Sequence, residues 1–95
     1  MKYCIDMDGV ICDEMPTFER ALAKPHLDFI ETMQKLKKAG NFITIYTSRG
    51  WVEYKMTKDW LDKYEVPYDV LLLGKPIYDV WIDDRAVNIK DLEIL

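Results

Sequence analysis

Residues 41–73 read NFITIYTSRGWVEYKMTKDWLDKYEVPYDVLLL. Residues 41–47, NFITIYT, are β-branched and aromatic, the composition of a strand. Ser48-Arg49-Gly50 breaks it. Tyr54, Trp60, Leu61 and Tyr64 then recur near helical spacing, and Pro67 ends the helix. YDVLLL, residues 68–73, is apolar on both faces, as in a parallel strand covered by helices. Strand, helix and strand in that order predict a βαβ unit, and with it an α/β fold.

Upstream, residues 2–7, KYCIDM, read as a strand that turns at Gly9. Residues 9–24 show no clean period, although PTFERALAK has room for a turn or two of helix with Thr17 as its cap. Pro25 suits a first helical position, and Phe29, Ile30, Met33 and Leu36 follow at helical spacing. Lys35, Lys37 and Lys38 complement the helix C-terminus, and Gly40 stops it. Downstream, Gly74-Lys75-Pro76 is a loop, DVWI at 79–82 is a fourth strand, and the tail 85–95 holds one more helical turn. The predicted order is β-α-β-α-β-β, a mostly parallel sheet. Only six residues separate Leu73 from Val80. They reach about 20 Å when extended, whereas parallel neighbours are usually joined through about a dozen residues or more.

The 95 residues make one domain, 1–95, with 49% apolar and 32% charged residues and a net charge of −4. That charge weighs against nucleic-acid partners, which need a basic footprint. No apolar run approaches the roughly 20 residues that span a bilayer, and the N-terminus does not read as a signal peptide. The expectation is a cytoplasmic protein with no membrane partner. Cys4 and Cys12 read as reduced thiols packed as small apolar groups.

In α/β sheets ligands bind beyond the carboxyl ends of the strands. The polar residues fall there. The first strand ends at Asp6 and Asp8, the second at Thr47 and Ser48. Lys75 follows the third, and Asp83 and Asp84 end the fourth. Four carboxylates crowded on one rim repel unless a cation intervenes. The donors on offer are hard oxygens, which favours Mg²⁺. A lysine and a hydroxyl beside such a pair suit a phosphoryl group.

These residues carry a resemblance. IDMDGVICD (5–13) resembles the D-x-D-G-[TV] motif of the haloacid dehalogenase superfamily of phosphohydrolases. FITIYTSR (42–49), LLLGKP (71–76) and VWIDDRA (80–86) resemble its second, third and fourth motifs, in the family's order. The run from Trp60 to Ala86 looks like a small group of capless members, some linked to capsule or polysaccharide biosynthesis. The resemblance implies a three-layer α/β/α Rossmann-like core with no cap domain. It implies Asp6 as nucleophile, Asp8 as general acid and base, Thr47 on a phosphoryl oxygen and Lys75 as charge neutraliser. Mg²⁺ would be held by Asp6, Asp8 and the pair Asp83 and Asp84, either of which could touch it directly. Ser48 and Arg49 are candidate substrate contacts. The expected substrate is a small phosphomonoester such as a sugar phosphate, taken by an open site or one walled by a second copy in a homo-oligomer. Two other classes share features with this pattern. A receiver domain also uses acids, Mg²⁺, Thr and Lys-Pro, but places its acidic pair early and its Lys-Pro last. A catalytically idle relative would bind metal or a partner only.

Overall fold

The structure is a computed structural model that describes residues 1–92. Three parallel strands, β1 (Lys2–Ile5), β2 (Phe42–Tyr46) and β3 (Val70–Leu72), form one sheet in the order β1-β2-β3. Helix α1 (Leu27–Lys38) joins β1 to β2, and α2 (Tyr54–Lys63) joins β2 to β3. A 3-10 turn at Trp51–Glu53 leads directly into α2. The βαβ reading of residues 41–73 therefore describes the observed path.

Period-2 alternation decides which side chains are covered. The register aligns Tyr3 with Ile43, Ile5 with Ile45, and Ile45 with Leu71, so these share one face. That face packs on Ile30, Met33 and Leu36 of α1 and on Trp60 and Leu61 of α2. Ile43, Ile45, Met33 and Leu61 are fully buried. Truncating any of them to Ala costs about 2–5 kcal/mol. The opposite face carries Cys4, Phe42, Val70 and Leu72, all exposed. Among the described residues, helices therefore cover one face only. The expected third layer is not formed.

The 9–24 segment is fixed by contacts rather than by periodicity. Residues Thr17–Leu22 form a 3-10 helix, entered from Pro16 without a side-chain cap, so Thr17 does not cap it. Arg20 binds both oxygens of Glu53 at 2.8 and 2.9 Å. The Trp60 indole donates to the Ala23 carbonyl at 3.0 Å. His26 sets Nδ1 against the Val10 carbonyl at 2.9 Å and Nε2 against Asp13 at 2.7 Å.

The fourth strand is a correction. Residues 79–82 pair with no strand, and Val80, Trp81 and Ile82 are exposed. The six residues after Leu73 are too few to cross the sheet and start a new parallel strand. In the tail, Ile89–Asp91 make a single 3-10 turn with Asn88 as cap, its side chain accepting from the Lys90 N–H. Residues 93–95 of the expected tail helix, and of the 1–95 domain, lie outside the described residues.

Candidate functional site

The carboxyl ends of β1, β2 and β3 lie side by side, and the chain leaving each carries polar groups. After β2 and β3 the pairing runs past the strands. Thr47 N–H donates to the Leu72 carbonyl at 3.0 Å, Lys75 N–H to the Thr47 carbonyl at 2.9 Å, and Gly74 N–H to the Arg49 carbonyl at 2.9 Å. Those three bonds hold Lys75 beside the end of β2. Gly74 adopts φ +78°, and a Cβ there would lie 3.1 Å from the Trp51 indole nitrogen. A larger residue would be strained and crowded at once.

So placed, the Lys75 ammonium sits 3.6 Å from Asp6 Oδ2. It also lies 5.8 Å from the centre of the Tyr46 ring and 5.1 Å from that of Trp81, both within cation–π range. The Asp6 side chain is 41% exposed, and its Oδ1 accepts from the Met7 N–H at 2.7 Å. One carboxylate is thus oriented by its own backbone, faced by a cation and open to solvent.

Asp8 is held differently. Gly9 (φ +83°) turns the chain past it, with Val10 N–H and Ile11 N–H donating to the Met7 carbonyl. Arg49 then grips Asp8 with its fork, Nη2 to Oδ1 at 2.8 Å and Nε to Oδ2 at 3.0 Å. The Arg49 side chain is fully buried, and the Asp8 side chain is 12% exposed. Arg49 Nη1 donates to Thr57 Oγ1 at 3.1 Å. Cys12 packs against the same pair, with Sγ 3.7 Å from Asp8 Oδ1. Burial, and next the Asp8 charge, push the Cys12 thiol up to about 12, so it stays a neutral thiol.

Arg49 was expected to contact substrate. Its side chain is instead buried and engaged with Asp8. Thr47 is also fully buried, and its Oγ1 accepts from the Arg49 N–H at 3.2 Å. Ser48 is the exposed hydroxyl at that strand end. Asp83 and Asp84 join no cluster of three ligand side chains with Asp6 and Asp8 among the described residues. Both are exposed, Asp83 accepting from the Arg85 N–H and Asp84 lying 3.9 Å from the Arg85 side chain. Among the described residues no three His, Cys, Asp or Glu side chains gather as metal ligands. Tyr46, Trp81 and Thr57 were not foreseen. A sequence signal existed for Thr57, a lone hydroxyl on the apolar stripe of α2 between Tyr54 and Leu61. An open groove of about 520 Å³ lies elsewhere, lined by Val52, Lys55 and Trp60 among others, and holds none of the candidate residues.

No family model and no curated protein matches the chain. Among solved structures, a chain of the Pnkp1/Rnl/Hen1 complex superposes with a TM-score of 0.68 at 20% identity, over 87% of this chain and 30% of that one. This likeness shows the fold alone. A structural-genomics target from Vibrio cholerae superposes with a TM-score of 0.80 at 33% identity, over 94% of this chain and 84% of that one. With that identity over nearly the full length of both, the chain belongs to the same protein family as the Vibrio cholerae protein.

Proposed function

We propose that the chain is a phosphohydrolase of the haloacid dehalogenase type, acting through an aspartyl-phosphate on a small phosphomonoester such as a sugar phosphate. The observation that supports this most is the 3.6 Å contact between Lys75 and an exposed Asp6, two residues from different strand ends. The Lys75 ammonium can offset charge on Asp6 and on an anion brought against it, and the open side of Asp6 leaves that anion a path.

An Asp6 oxygen attacks phosphorus and the bond to the leaving oxygen breaks, while Asp8 delivers a proton to that oxygen. Water then attacks the aspartyl-phosphate, Asp8 takes its proton, and the bond between Asp6 and phosphorus breaks to release phosphate. The two Asp8 oxygens offer four lone-pair sites and the fork of Arg49 takes one on each, so a site remains for a proton. Lys75 offsets charge on Asp6 and on the phosphoryl oxygens. Ser48 is the hydroxyl open to a phosphoryl oxygen, and Thr47 braces the turn beneath it. Mg²⁺ belongs to the proposal from the resemblance. Asp6 and Asp8 are the acids at the rim that would hold it, and when bound it would supply positive charge beside the phosphoryl oxygens. The rival reading as an idle metal-binding or partner-binding domain gains nothing from these contacts. The open rim suits a small ester in solution, and the acidic charge disfavours nucleic acid.

Turnover of p-nitrophenyl phosphate tests the proposal. It is expected in Mg²⁺, is lost in excess EDTA and returns when Mg²⁺ is restored. Turnover indifferent to EDTA removes the metal from the account, and no turnover in any condition overturns the phosphohydrolase reading.

A further inference from the structure

We infer that Arg49 is a positioning residue that sets the aim of Asp8, and that Thr57 on α2 sets Arg49 in turn. The inference rests on the phosphohydrolase reading and assigns the acid–base step a support outside the reacting groups.

An aspartate side chain has two free torsions, and a proton donor is effective only within hydrogen-bond reach of the oxygen it serves. A planar guanidinium bound to both carboxylate oxygens fixes both torsions, which a lysine ammonium cannot do. The two bonds of 2.8 and 3.0 Å join residues 41 apart in the chain, so the aim of Asp8 is set by tertiary structure and not by its own turn. Arg49 is itself over-determined. Its Nη1 donates to Thr57 Oγ1 at 3.1 Å, and its N–H donates to Thr47 Oγ1 at 3.2 Å. Its carbonyl accepts from the Gly74 N–H at 2.9 Å, one residue before Lys75. The same residue therefore ties the end of β2, the loop that carries Lys75, helix α2 and Asp8. A buried ion pair serving stability alone has no need to end on a carboxylate at the rim. A misplacement of about 1 Å at a reacting group can cost about 100-fold in rate.

The test uses two esters that differ in their demand for an acid. Phenyl phosphate has a poor leaving group that needs a proton, and p-nitrophenyl phosphate has a good one that needs it little. Arg49→Lys is expected to lower kcat/KM, which reports only the steps up to loss of the leaving group, by about 10- to 100-fold on phenyl phosphate, within the usual worth of general acid catalysis. Its loss of kcat/KM on p-nitrophenyl phosphate is expected to be only a few-fold. Thr57→Val should show the same bias at a few-fold, and Thr57→Ser, which keeps the hydroxyl, should restore it. Thr57→Val decides the matter should Arg49→Lys fail to fold. Equal losses on the two esters, or no loss, in the folded variants overturn the positioning role alone. A wild type inert on both esters overturns the phosphohydrolase reading and this inference with it.

Discussion

Cys4 and Cys12 lie eight residues apart and read alike in the sequence, yet their surroundings differ. Cys4 is exposed on the open face of β1, and Cys12 is fully buried against Asp8 and Arg49. Burial raises both thiols above their ordinary value of 9.0, Cys12 to about 12. Alkylation by iodoacetamide at pH 8 is expected to modify Cys4 alone in the folded protein, and both once urea is added. Peptide mass mapping reads the outcome, and rapid modification of Cys12 without urea would contradict its burial. A raised thiol value also fixes a sign. The stability that a neutral Cys12 contributes is present below about pH 9 and is lost as pH rises towards 12. Asp6, Asp8 and Lys75 were legible as site candidates because strand ends and period-2 alternation are local properties. The burial of Arg49 was not, since an arginine in a strand-terminal turn ordinarily reaches water. Only its distant partners, Asp8 and Thr57, pull it inside.

The elements were legible where the pattern is long and were lost where it is short. Helices α1 and α2 follow their apolar stripes, and β2 follows its β-branched run. DVWI has the same composition as a strand but no room to reach an edge. Its isolation could be read only from the length of the link before it. Asp69 shows how β3 is tied in. Its carboxylate binds the Lys37 ammonium at the end of α1 at 2.6 and 2.8 Å, and accepts from the Ile43 N–H of β2 at 2.8 Å. The Lys37 hydrogen bond, and next the Ile43 N–H, hold its carboxyl below the usual carboxylate value. A lowered carboxylate stabilises the fold above its unfolded value of 3.8 and loses that effect as pH falls through the folded one. Asp69→Asn is therefore expected to lower Tm at pH 7 and to differ little from wild type at pH 2.5. Thermal melts at the two pH values check this, and an equal gap at both would contradict it.

At the scale of the molecule, three parallel strands deliver Asp6, Asp8, Ser48 and Lys75 to one end of the sheet, although Asp6 and Lys75 are far apart in the chain. That gathering is a property of parallel order, in which every strand ends on the same side. The α/β class was legible for the same reason. The fourth strand was misread, because local composition suggests one at 79–82 while the six residues after Leu73 leave no room for a crossover. Among the described residues no helix is long and apolar enough to cross a membrane. The relative from Vibrio cholerae shares this fold over nearly all of the chain. The proposed reaction stands on phosphorylation of Asp6. Its most direct test is intact-mass and peptide mapping of wild type and Asp6→Asn, quenched in acid during turnover of p-nitrophenyl phosphate. A single phosphoryl adduct on Asp6 of the wild type is expected, with neither adduct nor turnover in the folded Asp6→Asn protein. Full turnover by Asp6→Asn, or an adduct at another residue, would contradict it.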